Sequence, residues 1–121
     1  MTLFSRIDTV IVRVRDVTRA VQWYTRTLGL AAVYSDPAEG LTVLGMEGTS
    51  LTLWQIKPHE GGTEPSGHSF PIFAVADAAA AHHHLVGQGA TVEPLQEGPG
   101  VRFFTFHDLD GNRLEACQVM A

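Results

Sequence analysis

The sequence predicts an α+β protein of two tandem βαβββ modules, which form a cupped, mostly antiparallel mixed sheet with the helices on its outer face. Three observations lead there. Apolar residues alternate with period two over several short segments, two further segments carry helical spacing behind an aspartate, and the order of elements in the first half recurs in the second. Residues 14–20 (VRDVTRA) align with 75–81 (VADAAAA), and 50–53 (SLTL) with 113–116 (RLEA), so one structural unit is used twice.

The first strand is expected over residues 7–15, where Val10, Val12 and Val14 share one face and Ile7, Thr9, Ile11 and Arg13 the other. Asp16 or Thr18 caps a helix whose stripe is Val17, Ala20, Val21, Tyr24 and Leu28, and Gly29 ends it. Tyr24 belongs to the core in this reading, and Trp23 to packing or an interface. Strands follow at about 30–35, 41–46 and 50–56. Module one thus covers about 5–57, and the Gly/Pro-rich stretch 58–67 reads as a connector. Module two, 68–121, repeats the order with a strand at 68–76, a helix from Ala78 to about Gln88, and strands near 91–95, 101–107 and 113–119. Neither module buries its sheet well alone, so the sheets should pack edge to edge or against a second chain.

The whole chain, 1–121, is expected to be one domain, since 45% hydrophobic residues suffice for a core at this length. A net charge of -5 with eight scattered basic residues argues against nucleic acid as a partner. No apolar run approaches the roughly 18 residues a membrane helix needs. Arg6 and Asp8 interrupt any leader-like start, and the single Cys117 has no partner for an internal disulfide, so a cytoplasmic location is expected.

With the segments IDTVIVRVRDVTRAVQWYTRTLGL, FPIFAVADAAAAHHHLVGQGA and FFTFHDLDGNRLEACQ, the chain resembles the vicinal oxygen chelate superfamily of glyoxalase, bleomycin-resistance and dioxygenase type, over nearly its full length. The last segment is the most specific, with a strand, an Asp-x-Asp-Gly-Asn turn and a Leu-Glu strand in order. Asp108–Asn112 also looks like part of a calcium loop, but it lacks the further spaced acid and terminal glutamate of an EF-hand.

The resemblance implies four metal positions, which fall on Thr9, Thr52, Phe70 and Glu115. Only Glu115 is a good donor, because threonine hydroxyls are poor ligands and phenylalanine offers none, so no metal and no other cofactor is expected. A displaced triad of His68, His107 and Glu115 is the alternative, although strand neighbours two apart lie about 7 Å from one another. His82, His83 and His84 point about 100° apart on a helix and cannot converge on one ion, so they read as helix-surface residues.

Strand parity turns Thr9, Ile11, Arg13, Thr52, Trp54, Phe70, Ile72, Glu115 and Cys117 to the ligand side, and Phe103 and His107 join them. That wall suits a planar aromatic or polycyclic molecule oriented by Arg13, His68 and Glu115. Core packing or a dimer contact is the competing role for Trp54 and Phe70. Glu115 is the candidate catalytic base if aromatic rings surround it without a cation, and a salt bridge to Arg13 is its plainer role. Cys117 reads as a small apolar filler.

The expected function is metal-independent capture of such a ligand, similar to the drug-sequestering branch of the superfamily, by a homodimer with ligand at shared crevices. Against enzymatic activity stands the loss of three of the four donors. The alternative is a lyase, isomerase or dioxygenase that uses Glu115 as base or the displaced triad; a scaffold without ligand is a third possibility.

Overall fold

The computed structural model describes residues 3–60 and 68–120, and these form two compact units that divide between the two stretches. Residues 61–67 of the connector lie outside the described residues.

In the first unit, β-branched Val10–Val14 forms β1, followed by helix α1 (Val17–Leu28), β2 (Ala31–Asp36), β3 (Leu41–Gly45) and β4 (Ser50–Gln55). Asp16 caps α1 by accepting a hydrogen bond from the Arg19 N–H at 3.2 Å. Gly29 ends the helix at φ 74°, a left-handed conformation that costs glycine nothing. The sheet order is β1-β4-β3-β2, with β1 and β4 parallel and the other pairs antiparallel. Val12 pairs with Leu53, and Leu51 with Leu44, on the face that packs on Ala20 and Tyr24 of α1; all of these are buried. Of the expected helix stripe Ala20 and Tyr24 are buried, with Thr27 beside them, while Val17, Val21 and Leu28 are only half-buried.

The second unit carries β5 (Ile72–Ala74), α2 (Ala78–Gly87), β6 (Thr91–Val92), β7 (Gln96–Gly98), β8 (Val101–His107) and β9 (Arg113–Val119). Its order is β5-β9-β8-β6, with β7 also on β8 and β5 parallel to β9. Asp77 caps α2 as Asp16 caps α1, accepting from the Ala80 N–H at 3.0 Å. Phe104, Phe106, Leu114 and Ala116 are buried together with Ala78 and Leu85. The first unit thus has the βαβββ order, and the second departs from it only in that two short strands, β6 and β7, both paired with β8, follow its helix, an α+β arrangement. Among the described residues no helix is long and apolar enough to cross a membrane.

Three strands are shorter than the sequence reading: β1, expected over 7–15, covers Val10–Val14, and two others stop at a proline. The strand expected at 68–76 is regular only over Ile72–Ala74. Pro71 accepts from the Glu115 N–H at 3.1 Å but has no N–H to return, so the ladder stops there. The strand expected at 91–95 ends at Val92, before Pro94, and pairing with β8 resumes as β7. At the connector's start, Pro58–Glu60 forms a single 3-10 turn.

Candidate functional site

Side-chain alternation leaves each sheet one face away from its helix, and those two faces hold most of the candidate residues. In the first unit, Ile11 pairs with Thr52 and Arg13 with Trp54 across β1 and β4. The Thr9 and Thr52 hydroxyls lie 2.8 Å apart, and Thr9 Oγ1 donates to the Ser50 carbonyl at 3.2 Å. A hydroxyl has one proton, so Thr52 donates to Thr9, and the two positions satisfy each other.

Arg13 is saturated. Its guanidinium holds both carboxylate oxygens of Glu60, at 2.9 and 2.7 Å, and also donates to the Trp54 and Gln55 carbonyls. It lies 4.4 Å from the centre of the Trp54 ring, and Lys57 Nζ lies 5.5 Å from the same ring. The indole N–H donates to the Glu39 carbonyl at 3.1 Å. Trp54 is therefore an oriented, half-buried ring with cations beside it.

The Arg13 fork, helped by the Lys57 N–H, holds the Glu60 carboxyl at a pKa of about 2, against an ordinary 4.5. A depressed carboxylate stabilises the fold above its unfolded-state pKa and loses that contribution as pH falls through the folded-state value. We expect Glu60→Gln to melt below wild type at neutral pH, with the gap closing between pH 4.5 and about 2. Thermal melts across that range check it; a gap that persists unchanged at pH 2 refutes the linkage.

In the second unit, β8 and β9 set Thr105 opposite Glu115, Phe103 opposite Cys117 and His107 opposite Arg113, while β5 adds Ile72 beside Glu115. The cation at Glu115 is Arg113, with Nη2 3.6 Å from the carboxylate, and the same guanidinium lies 4.0 Å from the centre of the Phe70 ring. Arg13, for its part, has Glu60 as its carboxylate partner within the first unit. Arg113 Nε and His107 Nδ1 are buried with no hydrogen-bond partner. Such orphans cost about 1–3 kcal/mol each and call for an explanation.

Arg113 is the functional candidate that the sequence reading missed. Residues two apart on a strand share a face, so the parity that placed Glu115 and Cys117 also places Arg113. His68 is exposed and outside any strand. His83 and His84 are exposed on α2, whereas His82 packs edge-on against Phe104 at 5.0 Å and contacts the Glu93 carbonyl at 2.9 Å.

The donor set does not fit a metal. Thr9 and Thr52 engage each other, Phe70 offers no lone pair, and Glu115 faces a guanidinium. Among the described residues no three His, Cys, Asp or Glu side chains are grouped to hold an ion, so His68, His107 and Glu115 do not form a triad.

A crevice of about 300 Å³ lies elsewhere in the first unit, between α1 and the β2–β3 edge. Val17, Val21, Gln22, Ser35 and Pro37 line it, and no ionisable side chain does. It is on the helix side of the sheet, where parity placed no candidate residue.

The model of the Glyoxalase/Bleomycin resistance protein/Dioxygenase superfamily matches residues 6–116. No curated protein matches the chain. Among solved structures, a glyoxalase family protein from Bacillus anthracis superposes with a TM-score of 0.84 at 20% identity, covering 98% of each chain. TnmS3, an antibiotic binding protein from Streptomyces sp. CB03234, gives 0.82 at 25% identity, covering 98% of this chain and 99% of its own. TioX from Micromonospora sp. ML1 gives 0.76 at 24%, covering 96% of this chain and 100% of its own.

Proposed function

This chain belongs to the glyoxalase/bleomycin resistance protein/dioxygenase superfamily, and within it we propose a metal-independent binding protein for an aromatic or polycyclic organic ligand. The observation that carries the proposal is the fate of the metal positions. A threonine pair bonded to itself and a phenylalanine under a guanidinium stand where donors would be needed. Chemistry that depends on an ion polarising substrate oxygens has no seat in such a set. Likeness to an antibiotic binding protein supports the same reading.

In this proposal the chain works as one domain, and the helix-free face of each unit carries ligand-binding side chains. Trp54, Phe70 and Phe103 supply ring surface, and Ile11 and Ile72, which are 51% and 56% exposed, supply apolar contact. Exposed apolar side chains on both faces also favour a homodimer that covers part of them. Light scattering across a dilution series tests that assembly.

Calorimetric titration with a panel of polycyclic aromatics, with and without a chelator, tests the function. We expect saturable binding that chelation leaves unchanged, weakened at least tenfold by Trp54→Ala or Phe70→Ala. Val21→Trp, which fills the helix-side crevice, should leave affinity unaltered. Binding that requires a stoichiometric divalent ion refutes metal independence, and loss of binding in Val21→Trp alone moves the ligand to the crevice.

A further inference from the structure

Two arginines lie on the candidate faces, and they differ in what they have left to give. Arg13 is spent on Glu60 and two backbone carbonyls. The Arg113 guanidinium sits over Phe70, 4.0 Å from the ring centre; its side chain makes no hydrogen bond among the described residues and faces Glu115 across 3.6 Å, well beyond the 2.7–2.9 Å or so of a charge-assisted hydrogen bond. The carboxylate is correspondingly under-used, although its side chain is only 13% exposed. A donor group over an aromatic ring and an acceptor group next to it therefore sit side by side, each with hydrogen-bonding capacity to spare.

We propose that Arg113 and Glu115 together read a neutral donor–acceptor edge on the ligand, of the kind a ring amide presents, with its C=O on the guanidinium and its N–H on the carboxylate. This rests on the ligand-binding reading above and specifies the ligand's polar edge. Charge decides between the options. A ligand anion at Arg113 would meet the Glu115 carboxylate, and a ligand cation at Glu115 would meet the guanidinium, whereas a neutral amide edge satisfies both without repulsion. A small slide of the guanidinium off Phe70 toward the ligand carbonyl also brings the orphaned Nε within reach of an acceptor. His107, directly across the ladder, supplies a further polar nitrogen at the same place.

The test compares three probes on the intact protein: 2-quinolinone, 1-methyl-2-quinolinone, which lacks the N–H, and 2-naphthoate, which is anionic. In wild type, 2-quinolinone should bind at least tenfold more tightly than either of the others. In Arg113→Met and Glu115→Leu the preference over the methylated probe should fall to within about twofold, about 1.4 kcal/mol per tenfold being the scale of the loss. The wild-type comparison needs no variant, so a variant that fails to fold does not blunt it. Equal binding of the three probes, or tighter binding of 2-naphthoate, overturns the assignment while leaving an aromatic-binding protein intact. Failure of every aromatic, in this set and in the polycyclic panel, overturns the binding function itself.

Discussion

Phe104→Ala should remove about 3–5 kcal/mol of folding stability, measured by equilibrium denaturation. Phe104 is fully buried on β8, packed at 5.8 Å against Phe106 and at 5.0 Å against the His82 ring of α2. Truncation to alanine opens a cavity in the layer that joins the second helix to its sheet, and neighbours anchored on a strand and a helix cannot collapse into it. Phe104→Leu keeps most of the volume and should lose less than half as much. Equal losses in the two variants would mean that the layer tolerates shape change and is loosely packed.

Asp108→Ala is the second large effect, about 2–4 kcal/mol, because one buried carboxylate organises the whole β8–β9 turn. Its Oδ1 accepts from the Asp110 and Asn112 backbone N–H groups at 2.8 and 2.9 Å, and its Oδ2 accepts from the Asn112 side-chain amide at 2.9 Å. Gly111, at φ 83°, supplies the left-handed residue the turn requires. The consequence reaches the candidate site, since this turn sets the register that places His107 opposite Arg113 and Thr105 opposite Glu115. Asp108→Asn retains one acceptor oxygen and should recover part of the loss. Ligand affinity measured on the alanine variant should fall along with stability, whereas unchanged affinity would separate the site from the hairpin register.

Much of the fold was legible in the chain. Period-two alternation with β-branched residues identified β1, β4, β8 and β9, and aspartates ahead of Val17 and Ala78 located both helices within a residue or so. These signals are local and strong. β1 is shorter than expected at both ends, and two later boundaries moved at Pro71 and Pro94, where the missing N–H mattered more than a continuous apolar run. The turn at 108–112 was likewise recognisable from Asp-x-Asp-Gly-Asn as a tight connection between strands.

The site was legible only as a set of faces. Parity assigned Thr9, Thr52, Trp54, Glu115 and Cys117 to the helix-free sides, because alternation is built into an extended backbone. The same rule places Arg113 on that face, but an arginine at the start of a strand carries no signal of its own for a ligand.

By itself, then, the sequence determined the repeated order of elements, the two helices and the buried face of each sheet. All of these follow from residue identity and from spacings of two or three to four along the chain. Only the tertiary structure decided which charges are spent and which remain. Arg13 meets Glu60 across 47 positions of sequence, while Arg113 has a ring beneath it and a carboxylate just out of hydrogen-bond reach. Pairings at that range depend on where a turn such as Pro58–Glu60 delivers its side chain, a matter of three-dimensional geometry that no local periodicity encodes.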